Sequence, residues 1–218
     1  MIKSEFQDSQ RESEMRQLFG LSKDKTEGRS GTDAFLQLDG KLYLFELKST
    51  SKESVTTARD FGPDHIKKWK DKHWIFGFYK NESVIFKYLS PSDMDPWIRE
   101  KEYYIAPDFA LSNIIPSKLE LPDLHEILGS KPTYTLDDAK RIQKDQYSIK
   151  KYRELMDTTN GYTPDTMLVI LRDRAAYISK RGSTLNNPHI PGKYFSNFPI
   201  IDNDHVETLK RLVKEAVT

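Results

Sequence analysis

The chain has 218 residues, enough for one sizeable core or a compact domain with a smaller appendage, but not for two full-size domains. It is 37% hydrophobic and 31% charged with no apolar run long enough to span a bilayer, which excludes a membrane protein of the helical kind; the absence of cysteine excludes disulfides, a thiolate nucleophile and cysteine-held zinc. A formal net charge of +1 neither favours nor excludes nucleic acid, because phosphate responds to where positive charge is concentrated and not to its sum.

The first residues, MIKSEFQDSQRESEMRQ, are polar and of mixed charge, unlike a secretory signal or a transit peptide, so a cytoplasmic location is expected. Phe6, Met15, Leu18 and Phe19 among charges predict a short helix over residues 4 to 19, closed by Gly20. A polar loop from Lys23 to Gly31 leads into TDAFLQL, then Asp39-Gly40, then KLYLFELK, the pattern of a hairpin. DHIKKWKDK (Asp64 to Lys72) reads as a short basic helix, and HWIFGFY (His73 to Tyr79) and SVIFKYL (Ser83 to Leu89) as two further strands. Beyond Leu89 helices dominate: Pro91 to Glu102, Leu121 to Leu128, Thr135 to Met156, Pro164 to Arg181 and Asn203 to Val217. Thr135 and Thr163 are the expected N-caps, with Pro164 suited to a first helical position. Ser183 to Pro199, with three prolines, reads as a long polar loop that stays out of the core. Trp69, Trp74 and Trp97 are expected in the core or an interface; His65 and His73 are expected to pack or face solvent. The fold class is therefore α/β, with a mostly α-helical C-terminal half: a single domain over 1–218 with about 91–218 as a candidate helical subdomain.

The chemistry concentrates in the first hairpin. A two-residue loop at Asp39-Gly40 makes Leu38 face Lys41, and counting back along both strands sets Asp33 opposite Glu46. Alternation then puts Glu46 and Lys48 on one face, so the three charged groups gather at one end of the sheet. Opposed residues have β-carbons about 5 Å apart, close enough for two carboxylates to grip one cation. Like charges so placed repel unless something positive lies between them, and oxygen ligands suit a hard divalent ion such as magnesium. Taken alone, Asp33 as a strand-start residue and a Glu46–Lys48 surface pair would be the bland reading. Against it, Leu42, Tyr43, Leu44, Phe45 and Leu47 make the strand apolar on both faces, as in a sheet interior, where unpaired charge is costly.

Asp33, then twelve residues, then Glu46-Leu47-Lys48 resembles the PD-(D/E)xK nuclease motif of type II restriction endonucleases. The resemblance covers about the first ninety residues and departs from the family pattern at Thr32, where proline is common. It implies a central mixed β-sheet flanked by helices, the restriction-endonuclease-like core. It also implies that Asp33 and Glu46 bind Mg2+, with Mn2+ able to substitute, while Lys48 polarises the attacking water or stabilises the phosphorane-like charge. Glu14, on the first helix, is similar to the additional acid that some members supply. The family further implies a homodimer acting on double-stranded DNA, with a cognate DNA methyltransferase as genetic partner.

Two segments carry groups suited to DNA contacts. After the motif come Lys52, Thr56, Thr57 and Arg59; in the late loop come Ser183, Asn186, Asn187, His189 and Lys193. Hydroxyls and lysines suit phosphate oxygens, arginine suits guanine and amides suit adenine. Basic residues also cluster at Lys140, Arg141, Lys144, Lys150, Lys151 and Arg153, and at Arg172, Arg174, Lys180 and Arg181, where solvated helix faces are the simpler reading. The leading expectation is a sequence-specific, Mg2+-dependent endonuclease. The alternatives are a structure-specific repair or junction-resolving nuclease, and a non-catalytic DNA-binding module of the same fold.

Overall fold

A computed structural model describes residues 2–23, 31–81 and 83–217 of the chain. The expected polar loop from Lys23 to Gly31 lies mostly outside the described residues, as does the Phe6 side chain. Two compact units result: Met1–Tyr103 with Leu185–Thr218, and Tyr104–Thr184.

The first unit is built on helix α1 (Ile2–Leu18) and the hairpin β1 (Ala34–Leu38) and β2 (Lys41–Thr50). Asp39 and Gly40 both have positive φ, 50° and 76°, the conformation of the tight turn whose twist matches that of the flanking strands. The ladder runs from Leu38↔Lys41 to Ala34↔Phe45, the register that the turn dictates. After the short strand β3 (Val55–Thr56) and helix α2 (Pro63–Trp69), β4 (His73–Lys80) joins β2 in parallel, and β5 (Ser83–Leu89) returns antiparallel to β4. Helix α3 (Pro91–Lys118) follows, its residues from Tyr104 onward counted with the second unit. The returning segment supplies β8 (His189–Ile190), a 3-10 turn at Gly192–Phe195, β9 (Ile200–Ile201) and α8 (His205–Ala216). A mixed five-stranded sheet results, in the order β1-β2-β4-β5-β9. On one face Ala34, Leu36, Phe45, Leu47, Ile75 and Phe86 pack with Met15 and Phe19 of the α1 region and Leu209 and Val213 of α8. On the other, Trp74 and Phe76 stack with planes 7° apart, and Trp74 meets Trp69 of α2 edge-on.

The second unit is largely helical. It holds α4 (Leu121–Leu128), α5 (Leu136–Gln143), α6 (Ile149–Glu154) and α7 (Pro164–Gly182), with a two-strand ribbon of β6 (Tyr134–Thr135) and β7 (Gly161–Tyr162). Its own core contains Leu124, Tyr134, Ile142, Tyr152, Tyr162, Met167 and Leu171. Thr135 and Thr163 cap α5 and α7, each side chain accepting a backbone N–H, from Asp138 and Thr166.

Four sequence expectations need correction. The helix expected to end at Glu102 continues to Lys118, through Pro107; a proline removes one backbone bond, and here the turns on either side carry the helix past it. The helix expected from Thr135 to Met156 is broken where Lys144 and Asp145 turn left-handed, at φ 49° and 56°, and it restarts with Ser148 as N-cap. The Ser183–Pro199 segment is not merely a polar loop: Ile190 and Phe195 are buried, and β8 pairs with β3. Finally, β2 is interior only from Phe45 onward, where β4 pairs with it; Leu42 and Leu44 are exposed.

Candidate active site

Asp33 stands one step beyond the last hairpin pair, Ala34↔Phe45, and so is not itself in a ladder pair with Glu46. Its Oδ2 instead accepts the Leu47 backbone N–H at 3.0 Å. The carboxylate thereby satisfies a strand donor beyond the end of β1, which fixes its orientation. Ala34 and Phe45 point into the α1/α8 core, so alternation turns Asp33, Glu46 and Lys48 to the opposite face, that of α2.

Glu46 is 3% exposed. A carboxylate so deeply placed needs compensation, and both of its oxygens have it: Lys48 Nζ donates to Oε1 at 2.8 Å and Lys72 Nζ to Oε2 at 2.9 Å. Lys48 also lies 3.9 Å from Asp33 Oδ2, so its ammonium stands between the two acids. The positive charge that the hairpin argument required is therefore supplied by lysine side chains. Burial pushes the Glu46 pKa up, but the charges and hydrogen bonds of Lys48 and Lys72 outweigh it and hold the group well below the usual carboxylate range. For Lys48, burial works to lower the pKa, while Glu46 and Asp33 raise it above the ordinary lysine value.

These groups line a cleft of about 560 Å³ whose wall includes Glu12, Asp33, Glu46, Lys48, Thr57, His65, Lys68 and Trp69. Glu12 comes from α1; burial and the Asp33 charge raise its pKa, with Lys48 and Arg16 opposing. His65 stacks on Phe61 and accepts the Gly62 N–H through Nδ1 at 3.4 Å, which places its proton on Nε2. Burial and the Lys68 charge lower its pKa, with Glu46 and Asp64 opposing.

Glu14 is not part of this group. It is exposed, accepts a hydrogen bond from Gln10 Nε2 at 3.0 Å, and lines a different cleft with Gln17, Leu18 and Tyr79. Two residues along a helix is about 200° of rotation, so Glu12 and Glu14 face opposite ways. Sequence reasoning missed Glu12 and also Lys72, which it placed among the charges of a basic helix. Nothing local in the sequence marks Glu12, because which residues of α1 reach the cleft depends on how the helix packs.

The two segments expected to touch DNA are brought together in part. Pairing of β3 with β8 sets Val55 against Ile190 and Thr56 against His189, with Thr56 Oγ1 and His189 Nδ1 3.2 Å apart. Thr57 donates its hydroxyl to the Pro188 carbonyl at 2.8 Å and lines the acidic cleft. Asn186 and Arg59 are exposed, and Asn187 is left-handed at φ 50°. Lys52 and Lys193 line a second cleft of about 390 Å³ with Lys80 and Lys87. Ser183 belongs to the other unit; it is buried, and its hydroxyl donates to the Ser179 and Asp108 carbonyls, an arrangement of helix packing and not of ligand contact. The basic residues of the second unit are largely engaged at home: Lys150 with Glu154, Lys151 with Asp173, and Arg172 with the Leu119 carbonyl.

Among the described residues, no three of His, Asp and Glu converge closely enough to hold a metal ion by themselves. Asp33 and Glu46 nevertheless offer an all-oxygen donor pair on one cleft wall, chemistry that fits a hard cation whose remaining positions go to water and phosphate. No helix of the described residues is long and apolar enough to cross a membrane. A family model described as restriction endonuclease PvuII matches residues 1–113, a segment that contains Glu12, Asp33, Glu46, Lys48 and Lys72. No curated protein matches the chain.

Proposed function

Because the chain belongs to the PvuII restriction endonuclease family, we propose that it is a type II enzyme that hydrolyses both strands of double-stranded DNA at a specific sequence, using Mg2+. The single observation that carries the reading is the placement of the Lys48 ammonium, 2.8 Å from Glu46 and 3.9 Å from Asp33, in an open cleft inside the matched segment. An isolated surface pair would not explain a buried glutamate gripped from two sides.

Asp33 and Glu46 would hold the cation, which when bound polarises a phosphate oxygen and makes a bound water more acidic. The Leu47 N–H keeps the Asp33 carboxylate turned toward Lys48. Lys48 presents a fixed positive charge where negative charge develops on the phosphorus oxygens, and it needs no reorganisation during the reaction. Glu12, and not Glu14, is the additional acid in this reading, placed on the α1 side of the cleft where it could accept a proton. Thr56 and His189 on the β3–β8 ribbon and Thr57 just after it, with Asn186, Asn187, Arg59, Lys52 and Lys193 nearby in sequence, are the proposed DNA-contacting set. A homodimer in the cytoplasm, with a DNA methyltransferase as genetic partner, completes the proposal.

Incubating the protein with a sequenced plasmid and Mg2+, then sequencing the ends, tests it. Discrete fragments are expected from the wild type and none from Asp33→Ala. Lys48→Ala should still bind DNA while cleaving about 100- to 1,000-fold more slowly, the range for loss of one preorganised charge-stabilising donor. A smear, or cutting of branched DNA alone, would point to a structure-specific nuclease; an intact plasmid with folded protein would point to a non-catalytic module.

A further inference from the structure

Lys72 lies outside the three-residue motif, yet it is among the most deeply buried charged groups of the first unit, 1% exposed. It follows α2, its backbone N–H closing a turn onto the Trp69 carbonyl at 3.1 Å, and it directly precedes β4. Because β4 runs parallel to β2 with Glu46 beside Trp74, a lysine two residues before Trp74 comes up on the same face as Glu46. Its ammonium donates to Glu46 Oε2 at 2.9 Å, while Lys48 takes Oε1. Burying an ammonium is costly unless a carboxylate answers it. A pair of aromatic or aliphatic side chains would fill the same space without that cost.

We propose that Lys72 is a positioning residue of the cleavage centre: it pins Oε2 of Glu46 so that the carboxylate offers Oε1 alone to Lys48 and to the cation, and it sets the charge of the site. This rests on the nuclease reading given above. With Lys72 present, two ammonium groups in direct contact offset the Asp33 and Glu46 carboxylates, so a bound divalent cation would leave this pair of acids with a surplus of positive charge beside the phosphodiester. Removing Lys72 leaves the acids in excess. The free site then attracts a cation more strongly, while Glu46 loses its orientation and the loaded site loses positive charge. Cation affinity and turnover should move in opposite directions, which a purely structural ion pair would not produce.

The test uses the full chain with Lys72→Met and Lys72→Gln. Mg2+ and Ca2+ binding is measured by calorimetry without DNA, and plasmid cleavage separately, with thermal unfolding monitored throughout. Both variants are expected to bind the cation at least threefold more tightly and to lose at least 30-fold in kcat with a small change in KM. Lys72→Gln, which keeps an N–H for Oε2, should lose less turnover than Lys72→Met; it also carries the test if the Met variant does not fold. Cation affinity and kcat both within twofold of wild type would overturn the inference, as would affinity, kcat and melting temperature falling together. A wild type that binds no cation and cuts no DNA would defeat the nuclease reading itself, and this inference with it. A wild type that does both, beside indifferent variants, would defeat the role of Lys72 alone.

Discussion

Glu46 illustrates how a residue's neighbours decide its chemistry. Placed on an interior stretch of β2, it stays charged because two lysines reach it from different elements, one from its own strand and one from the approach to β4. The acid expected on the first helix shows the converse. Glu12 and Glu14 are equally plausible as letters, but only Glu12 lines the cleft. Glu12→Gln should therefore reduce plasmid cleavage by about tenfold or more while Glu14→Gln leaves it unchanged, and equal rates for the two variants would remove Glu12 from the site. His73 carries a stability prediction of its own. It is buried among Tyr43, Phe45 and Tyr88, its Nδ1 is 2.6 Å from the Tyr88 hydroxyl, and burial lowers its pKa to about 4. Between that value and the ordinary histidine value of 6.5, the unfolded chain binds a proton that the folded chain does not. Stability from this group is complete above about pH 6.5 and declines as pH falls toward 4, by on the order of 3 kcal/mol. Denaturant midpoints measured from pH 4 to 7 should show this slope in the wild type and a shallower one in His73→Gln.

Among the elements, the first hairpin is the one whose local chemistry and tertiary role agree. Asp39 and Gly40 accept positive φ, the register follows, and the register puts the charged residues on one face. The β6–β7 ribbon was invisible in the sequence because two-residue strands have no periodicity to read. It is held at Gly161, where a β-carbon would collide with the Tyr134 carbonyl oxygen. Gly161→Ala should destabilise the second unit by roughly 2 kcal/mol, the usual scale of an overpacked contact, seen as an earlier urea transition of that unit's tyrosines; an unchanged transition would mean that the ribbon yields freely. The return of residues 185–201 to the first unit was likewise hidden. β9 extends the sheet and β8 meets β3 across more than a hundred residues of chain, pairings that no local window contains.

At the scale of the molecule, the chain is one α/β unit interrupted by a helical one, residues 104–184, that has a core of its own. The family match, residues 1–113, covers the first part of the α/β unit and leaves its returning segment and most of the helical unit unmatched. In the proposed reading each chain supplies one Asp33–Glu46–Lys48 group, so cutting both strands of a duplex in one encounter would call for two copies, most simply related by a twofold axis. Sedimentation at micromolar concentration should give twice the chain mass of 25.4 kDa. Supercoiled plasmid should pass directly to the linear form; a monomer that accumulates nicked circles would remove the dimer from the proposal.

From its own residues the sequence determined the motif spacing, the turn and its register, the caps at Thr135 and Thr163, and the alternation that turns three charges to one side, because each of these depends on neighbours within a few positions along the chain. Tertiary structure decided which face of α1 meets the cleft, that Lys72 reaches Glu46, and that β3 and β8 join the two segments expected near DNA. Those outcomes depend on where distant elements pack, and a side chain that must balance a buried charge from 26 residues away leaves no periodic trace in the sequence.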